Sequence, residues 1–374
     1  MAEGDLARLK RAAGAAARAG DHEAAIALFR QVAAAAPGLW SAPYNAGLLL
    51  LHLGRTAEAE AALAAACRLA PDRQAPHADH ALALLSLGRQ EAGWARYLWR
   101  REAPRLPADR PPAPLPADLS GRSFVLLNEQ GLGDALFFLR YAAVLHRRGA
   151  RVFHEPFAKL ATMLARVPWL EPVPRPVPDD RVPLGDLPFL AAVPPPPSLR
   201  IEPQADRVAA VARRLAAAGP GPYLGVTWHG GVPGGANLVK AVPPGLLAAA
   251  VRGWPGTILV LQRAPAPGAV AAFRAALGRD APDFSDLAER LEDMLALQGR
   301  LDAYAAVSNT NVHLRAAVGR PSHVLVPWPA EFRWPAGSDR SPWFPDCPLH
   351  RQGGDGDWGP ALAALAAALT PGGA

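Results

Sequence analysis

Four stretches of the chain place polar or charged side chains where chemistry can occur. In "SFVLLNEQGLGDALFFLRY" an apolar run ends in Gly131 and Gly133, then in Asp134, and an apolar helical pattern begins at once. Paired glycines permit a sharp strand-to-helix turn with close backbone approach. Asp134 is expected at or near the helix N-cap and has two readings. It caps the helix, an effect of about 1 kcal/mol, or it faces a cleft and takes a proton from a substrate hydroxyl. Glu129, just before the turn, is a competing carboxylate. The stretch lacks the third glycine of a dinucleotide fingerprint and the GK[ST] of a phosphate-binding P-loop.

The second stretch is "AVSNTNVHLRAAVG". Its pattern predicts a strand ending at Ser308, a polar turn of Asn309, Thr310 and Asn311, and a helix from near Val312. A helix start with its N–H groups and positive dipole end suits an anion. Thr310 and Asn311 would add donors, and His313 in the first turn would reach a phosphate oxygen. The alternative is a capped helix with a histidine at the surface or the core edge. The third stretch, "GVTWHGGVPGGANLVK", follows a strand with a glycine-rich loop and ends at Lys240. Such a backbone can wrap phosphates while the lysine supplies charge; a plain surface loop is the other reading. The fourth, "VPWPAEFRW", sets Trp328, Phe332 and Trp334 beside Glu331 and Arg333. These side chains form a lid or acceptor wall, or they pin the loop onto a neighbouring domain. No His/Cys/Asp/Glu spacing resembles a zinc site, and no DxD stands where a metal-bound nucleotide sugar needs one. Metal-free chemistry with no bound cofactor is expected.

The elements that must position these residues begin with a repeat. Glycine recurs at Gly20, Gly54 and Gly88, a spacing of 34, and proline at Pro37 and Pro71. Ala25, Ala59 and Gly93 share one phase of the register; Phe29, Leu63 and Tyr97 share another. A 34-residue period of helix, tight turn and helix is the tetratricopeptide pattern. Small residues let paired helices approach, and proline ends the second helix because it cannot continue one. Such an array binds a protein partner or extends and stabilises its neighbour.

Residues 1–104 are therefore expected to be helical repeats, and the proline-rich residues 105–120 an extended linker. Strand, helix and strand patterns in "SFVLL", "DALFFLRYAAVLHRRG" and "ARVFHE" make a βαβ unit and imply a parallel sheet. "FAKLATMLARVPWL" is predicted helical, and "DLPFLAAV" a strand or a loop leading to an edge. Residues 121–205 form a first α/β half. A second, residues 206–374, runs from the helix "QADRVAAVARRLAAAG" through strands at "YLGVTWHGG", "TILVLQ", "DAYAAVSN" and "SHVLVPW" to a closing helix, "DWGPALAALAAAL". Ligands of such sheets bind beyond the carboxyl ends of the strands.

Bulk composition narrows the classes. In 374 residues, 50% are hydrophobic and 19% charged, which indicates a globular chain. A net charge of +6 favours an anionic ligand or reflects a coding bias toward arginine. No Lys/Arg cluster interleaves with aromatics, so nucleic-acid binding is not expected. Cys67 and Cys347 form no metal or disulfide pattern. The N-terminus lacks the apolar core of a signal peptide, and "AGLLLLHL" is far shorter than a membrane helix. A cytoplasmic protein is expected.

Taken together, "LLNEQGLGDALFFLRYAAVLHRRGARV", "LGVTWHGG", "VSNTNVHLRAAVGRPSHVLVPWPAEFRW" and "SPWFP" resemble bacterial tetratricopeptide proteins with a C-terminal glycosyltransferase-like region similar to the heptosyltransferases. That resemblance implies two Rossmann-like doubly wound domains of GT-B type facing a cleft, the first holding an acceptor and the second a nucleotide-sugar donor. It implies that Asp134 is the general base, in a turn shaped by Gly131 and Gly133. It further implies that Asn309, Thr310, Asn311 and His313, with Lys240, hold the donor diphosphate. The family expects aspartate where Asn309 stands and several Lys/Arg in the loop where only Lys240 occurs. The reaction implied is an inverting, metal-independent transfer of a sugar to a glycan, lipid or protein hydroxyl. A non-catalytic scaffold, with the repeats binding a partner and the second-half motif a relic, remains the alternative.

Overall fold

The glycines spaced 34 apart each adopt positive φ, +80° at Gly20, +70° at Gly54 and +74° at Gly88. This is a backbone region that other residues enter only at a cost, so each glycine can turn the chain sharply between two helices. The computed structural model describes residues 3–100, 113–231 and 240–370. Residues 105–112 of the expected 105–120 linker and the loop at residues 232–239 fall outside them. Three helical hairpins result: α1 (Glu3–Arg18) with α2 (His22–Ala35), α3 (Ser41–His52) with α4 (Thr56–Leu69), and α5 (Gln74–Ser86) with α6 (Gln90–Tyr97). Ala25, Ala59 and Leu63 are fully enclosed, and Phe29 and Tyr97 are buried. A Cβ on Gly93 would sit 2.7 Å from Leu85, so glycine in the third copy lets α5 and α6 close up where alanine serves in the first two. The polar residues after the turn glycines differ in task. Asp21 caps α2 through the Ala24 N–H at 3.1 Å, whereas Arg55 pairs with Glu23 of the preceding hairpin and with Glu58.

The chain divides into two compact units: Met1–Pro114 with Pro329–Gly337, and Leu115–Trp328 with Ser338–Ala374. Apart from Pro329–Gly337, residues 121–374 lie in the second unit. The "AEFRW" aromatics belong to the first, where Phe332 meets Trp94 edge-on at 5.7 Å. Among the described residues, no helix is long and apolar enough to cross a membrane.

In the second unit, β1 (Ser123–Leu127), α7 (Leu132–Arg147), β2 (Arg151–His154), α8 (Ala158–Leu164), β3 (Leu170–Glu171) and β4 (Arg181–Pro183) build a sheet of order β3-β2-β1-β4 with parallel pairing throughout. The expected helix "FAKLATMLARVPWL" is shorter than its apolar pattern, ending at Leu164. "DLPFLAAV" is helical rather than extended: it forms α9 (Leu187–Ala191) behind a 3₁₀ turn at Leu184–Asp186. Proline at N2 suits a helix start, and Leu187 and Ala191 are buried without a sheet partner.

The chain continues through α10 (Ala205–Ala218), β5 (Tyr223–Thr227), the two-residue antiparallel pair β6 (His229–Gly230) and β7 (Lys240–Ala241), α11 (Pro244–Val251), β8 (Thr257–Val260) and α12 (Ala269–Leu277). It then forms α13 (Leu291–Arg300), β9 (Ala303–Val307), α14 (Thr310–Ala317), β10 (His323–Val326), β11 (Leu349–Arg351) and α15 (Gly359–Leu369). The second sheet runs β11-β10-β9-β5-β8, again parallel. Alternate residues of β5, β8 and β9, among them Leu224, Val226, Ile258 and Ala305, join Leu247, Phe273 and Leu365 of α11, α12 and α15 in one core. In each sheet the strand order reverses beside the opening strand, β1 or β5. A crevice opens beyond the carboxyl end of a parallel sheet at such a reversal.

Candidate functional site

The turn after β1 forms as its residues dictate, with a shift in register. Gly131, not Asp134, is the N-cap of α7, and its φ of −76° is open to any residue. Asp134 stands at the third helical position, and its Oδ2 accepts the Gly131 N–H at 3.2 Å. A carboxylate there is favoured by the helix dipole. The Asp134 side chain is half-buried and borders a shallow crevice with Glu129, Gln130, Phe138, Phe157 and Leu184. Glu129 has structural work at the same place: its Oε1 accepts the Gly185 N–H at 2.8 Å and ties the turn to the segment before α9.

Gly133 explains why this turn carries glycine. A Cβ there would lie 3.2 Å from His313 Cδ2, 3.6 Å from His313 Nε2 and 3.6 Å from Thr310 Oγ1. The first turn of α7 therefore packs directly on the first turn of α14. The His313 ring is 7% exposed. It stands edge-on to Phe137 of α7, at 6.1 Å, and to Phe344, at 5.5 Å.

The second junction is held by a chain of hydrogen bonds across three strand ends. Asn309 is the N-cap of α14, so the helix starts at Thr310, earlier than its apolar pattern predicts. The Asn309 Oδ1 accepts the Asn311 N–H at 2.8 Å, and its Nδ2 donates to Val307 O at 2.8 Å. The same amide donates to the Tyr304 hydroxyl at 3.3 Å. Tyr304 donates to Thr227 Oγ1 at 2.9 Å, and Thr227 donates to Leu261 O at 3.1 Å. Burial pushes the Tyr304 phenol up, so it stays neutral and keeps its proton to donate. Asn311 is 9% exposed, and its backbone N–H is taken by the Asn309 cap. Thr310 and His313 lie at the α7 contact.

Lys240 opens β7 opposite Gly230. A Cβ on Gly230 would lie 2.5 Å from Ser308 O, so this hairpin is pressed against the end of β9. A residue that the sequence did not reveal holds it there. Gln262, 3% exposed, accepts the Trp228 and His229 N–H groups at 3.1 and 2.9 Å. It also donates to His229 O at 3.2 Å and Arg263 O at 3.0 Å. A polar residue ending the apolar run "TILVLQ" was the available signal. The expected site residues Gly133, Thr310 and His313 are brought together, with Asp134 next to Gly133 in the chain. Glu129 and Asn309 are occupied in building the two turns.

No protein-family description matches the sequence. Protein FlbA of Caulobacter vibrioides is 29% identical over 395 residues, an overlap of 94% of this chain and 64% of that protein. The chain therefore spans less than two thirds of the length of that curated relative. Among solved structures, a glycosyl transferase family 9 protein from Veillonella parvula superposes with a TM-score of 0.46 at 12% identity, over 63% of this chain and 87% of its own. A Thermobaculum terrenum O-GlcNAc transferase gives a TM-score of 0.36 at 16% identity, over 95% of this chain and 81% of its own.

Proposed function

We propose that the chain is a glycosyltransferase that moves a sugar from a nucleotide-sugar donor to a hydroxyl acceptor with inversion and without a metal ion. The observation that supports this reading is the α7–α14 contact, where Gly133, the residue before Asp134, packs on Thr310 and His313 in the first turn of α14. Asp134 would take the proton from the acceptor hydroxyl as that oxygen attacks the anomeric carbon. The bond to the departing diphosphate would break with its charge stabilised by the first turn of α14, Thr310, His313 and Lys240. Asn309 fits the same scheme. The sequence between Trp228 and Lys240 carries no Lys or Arg, so a neutral amide in place of the family's aspartate leaves the local charge balance toward a diphosphate little changed. The helical hairpins would serve as a tetratricopeptide-type platform for a protein partner or the acceptor.

The first test is calorimetric titration with ADP, GDP, UDP and CDP, followed by turnover with the sugar donor of whichever binds. Asp134→Asn is expected to lower turnover about 10²–10⁴-fold while leaving nucleotide affinity within a few-fold. Turnover within about tenfold of wild type would remove Asp134 as the base. Binding of none of the four would favour the non-catalytic scaffold.

A further inference from the structure

Arg140, on the face of α7 that carries Phe137, is 1% exposed. Its Nε donates to Phe137 O at 3.0 Å, and its Nη1 donates to Trp343 O at 2.8 Å and Pro196 O at 3.4 Å. Its Nη2 donates to Ser198 Oγ at 3.1 Å. One planar cation thus joins α7, the proline run before α10, and the "SPWFP" segment. That segment is also fixed by the Trp343 Nε1–H donating to the Tyr141 hydroxyl at 2.9 Å. The guanidinium carbon lies 4.7 Å from the Phe137 ring centre and 4.6 Å from that of Phe344. These are the two rings that stand edge-on to His313.

A histidine ring has a broad preference about χ2, so its neighbours decide its orientation. Burying a charge is costly unless its donors are satisfied, and an aliphatic side chain would fill the same space. The rigid fork of arginine, by contrast, can bond several carbonyls and stack on two rings at once, which the ammonium of lysine cannot. We propose that Arg140 is a positioning residue that sets the orientation of the His313 imidazole at the α7–α14 contact, acting through Phe137 and Phe344. Its functional consequence rests on the reading of His313 as a diphosphate ligand; the geometric claim stands apart from it.

The test uses full-length protein labelled at histidine, with the His313 ring resonances assigned by their loss in His313→Gln. In the wild type these resonances are displaced from free-histidine positions by the two aromatic neighbours. In Arg140→Lys and Phe344→Leu they are expected to lose most of that displacement. Leu365→Ala, which opens the α15 core and lowers thermal stability, is expected to leave them in place. Unchanged resonances in folded Arg140→Lys or Phe344→Leu would overturn the proposal, as would an equal shift in Leu365→Ala. Affinity for the nucleoside diphosphate that binds wild type is expected to fall about tenfold in Arg140→Lys, about 1.4 kcal/mol. If none binds wild type, the reading of His313 as a ligand fails while the resonance result still decides the role of Arg140.

Discussion

The two strand–turn–helix junctions at the site start from the same geometry and end with opposite electrostatics. After β1, α7 is closed by a charged group: Asp134 reaches back to the Gly131 N–H. After β9, α14 is closed by a neutral one: Asn309 accepts the Asn311 N–H and spends its amide hydrogens on Val307 O and Tyr304. A helix start attracts negative charge. The first already holds its own carboxylate, whereas the second has a neutral cap and no acidic residue in its first turn.

The sharpest way to break this pairing is to separate the junctions. Gly133→Val adds a branched side chain where a Cβ alone would already meet His313 at 3.2 Å. Overpacking of this kind costs about 1–3 kcal/mol. Nucleoside diphosphate affinity is expected to fall roughly 5- to 150-fold by calorimetry. Affinity within threefold of wild type would show that the contact is not part of the ligand site.

Asn309→Asp tests the charge difference itself. Either residue caps a helix well, so thermal stability should move by only a few tenths of a kcal/mol. The added carboxylate should weaken diphosphate binding about tenfold at low salt, with recovery as salt screens it. Equal or tighter binding at low salt would contradict the contrast between the caps.

A smaller effect distinguishes the two sheets. In the second, His323 Nδ1 and His350 Nε2 lie 3.2 Å apart on β10 and β11. Burial pushes each imidazole down to about 4, with Arg315 adding to the shift at His323 and His323 adding to it at His350. The first sheet has only His154 in a comparable place, lowered by burial and holding the Leu126 carbonyl at 3.1 Å. A histidine whose pKa is lower in the folded chain binds fewer protons than the unfolded chain between pH 6.5 and 4. Stability is then complete above pH 6.5 and falls as pH drops toward 4. One such shift corresponds to about 2 kcal/mol after allowance for partial exposure. Hydrogen exchange at pH 7 and 4.5 should show β10 and β11 loosening before β1 and β2. His350→Gln should lose less stability than wild type across that interval, and an unchanged pH dependence would rule the pair out.

The sequence showed much of this fold because much of it is local. The turn glycines, the strand–helix alternation and the polar turn before His313 all follow from backbone and side-chain preferences within a few residues. It failed where partners are remote. "DLPFLAAV" reads as a strand or a loop leading to an edge but folds as α9, and α12 was absent from the expected elements. Gln262 is a clamp only because β5 and β8 lie side by side. Arg140 matters only because Trp343, 203 residues on, returns to α7.

By itself the sequence determined that three hairpins precede parallel α/β units, and that an acidic turn and a histidine-bearing turn exist. Only the tertiary structure decided that these turns touch, through a glycine that leaves room for an imidazole. Periodicity and turn chemistry are written in short windows, whereas the approach of two helix ends depends on how two sheets pack.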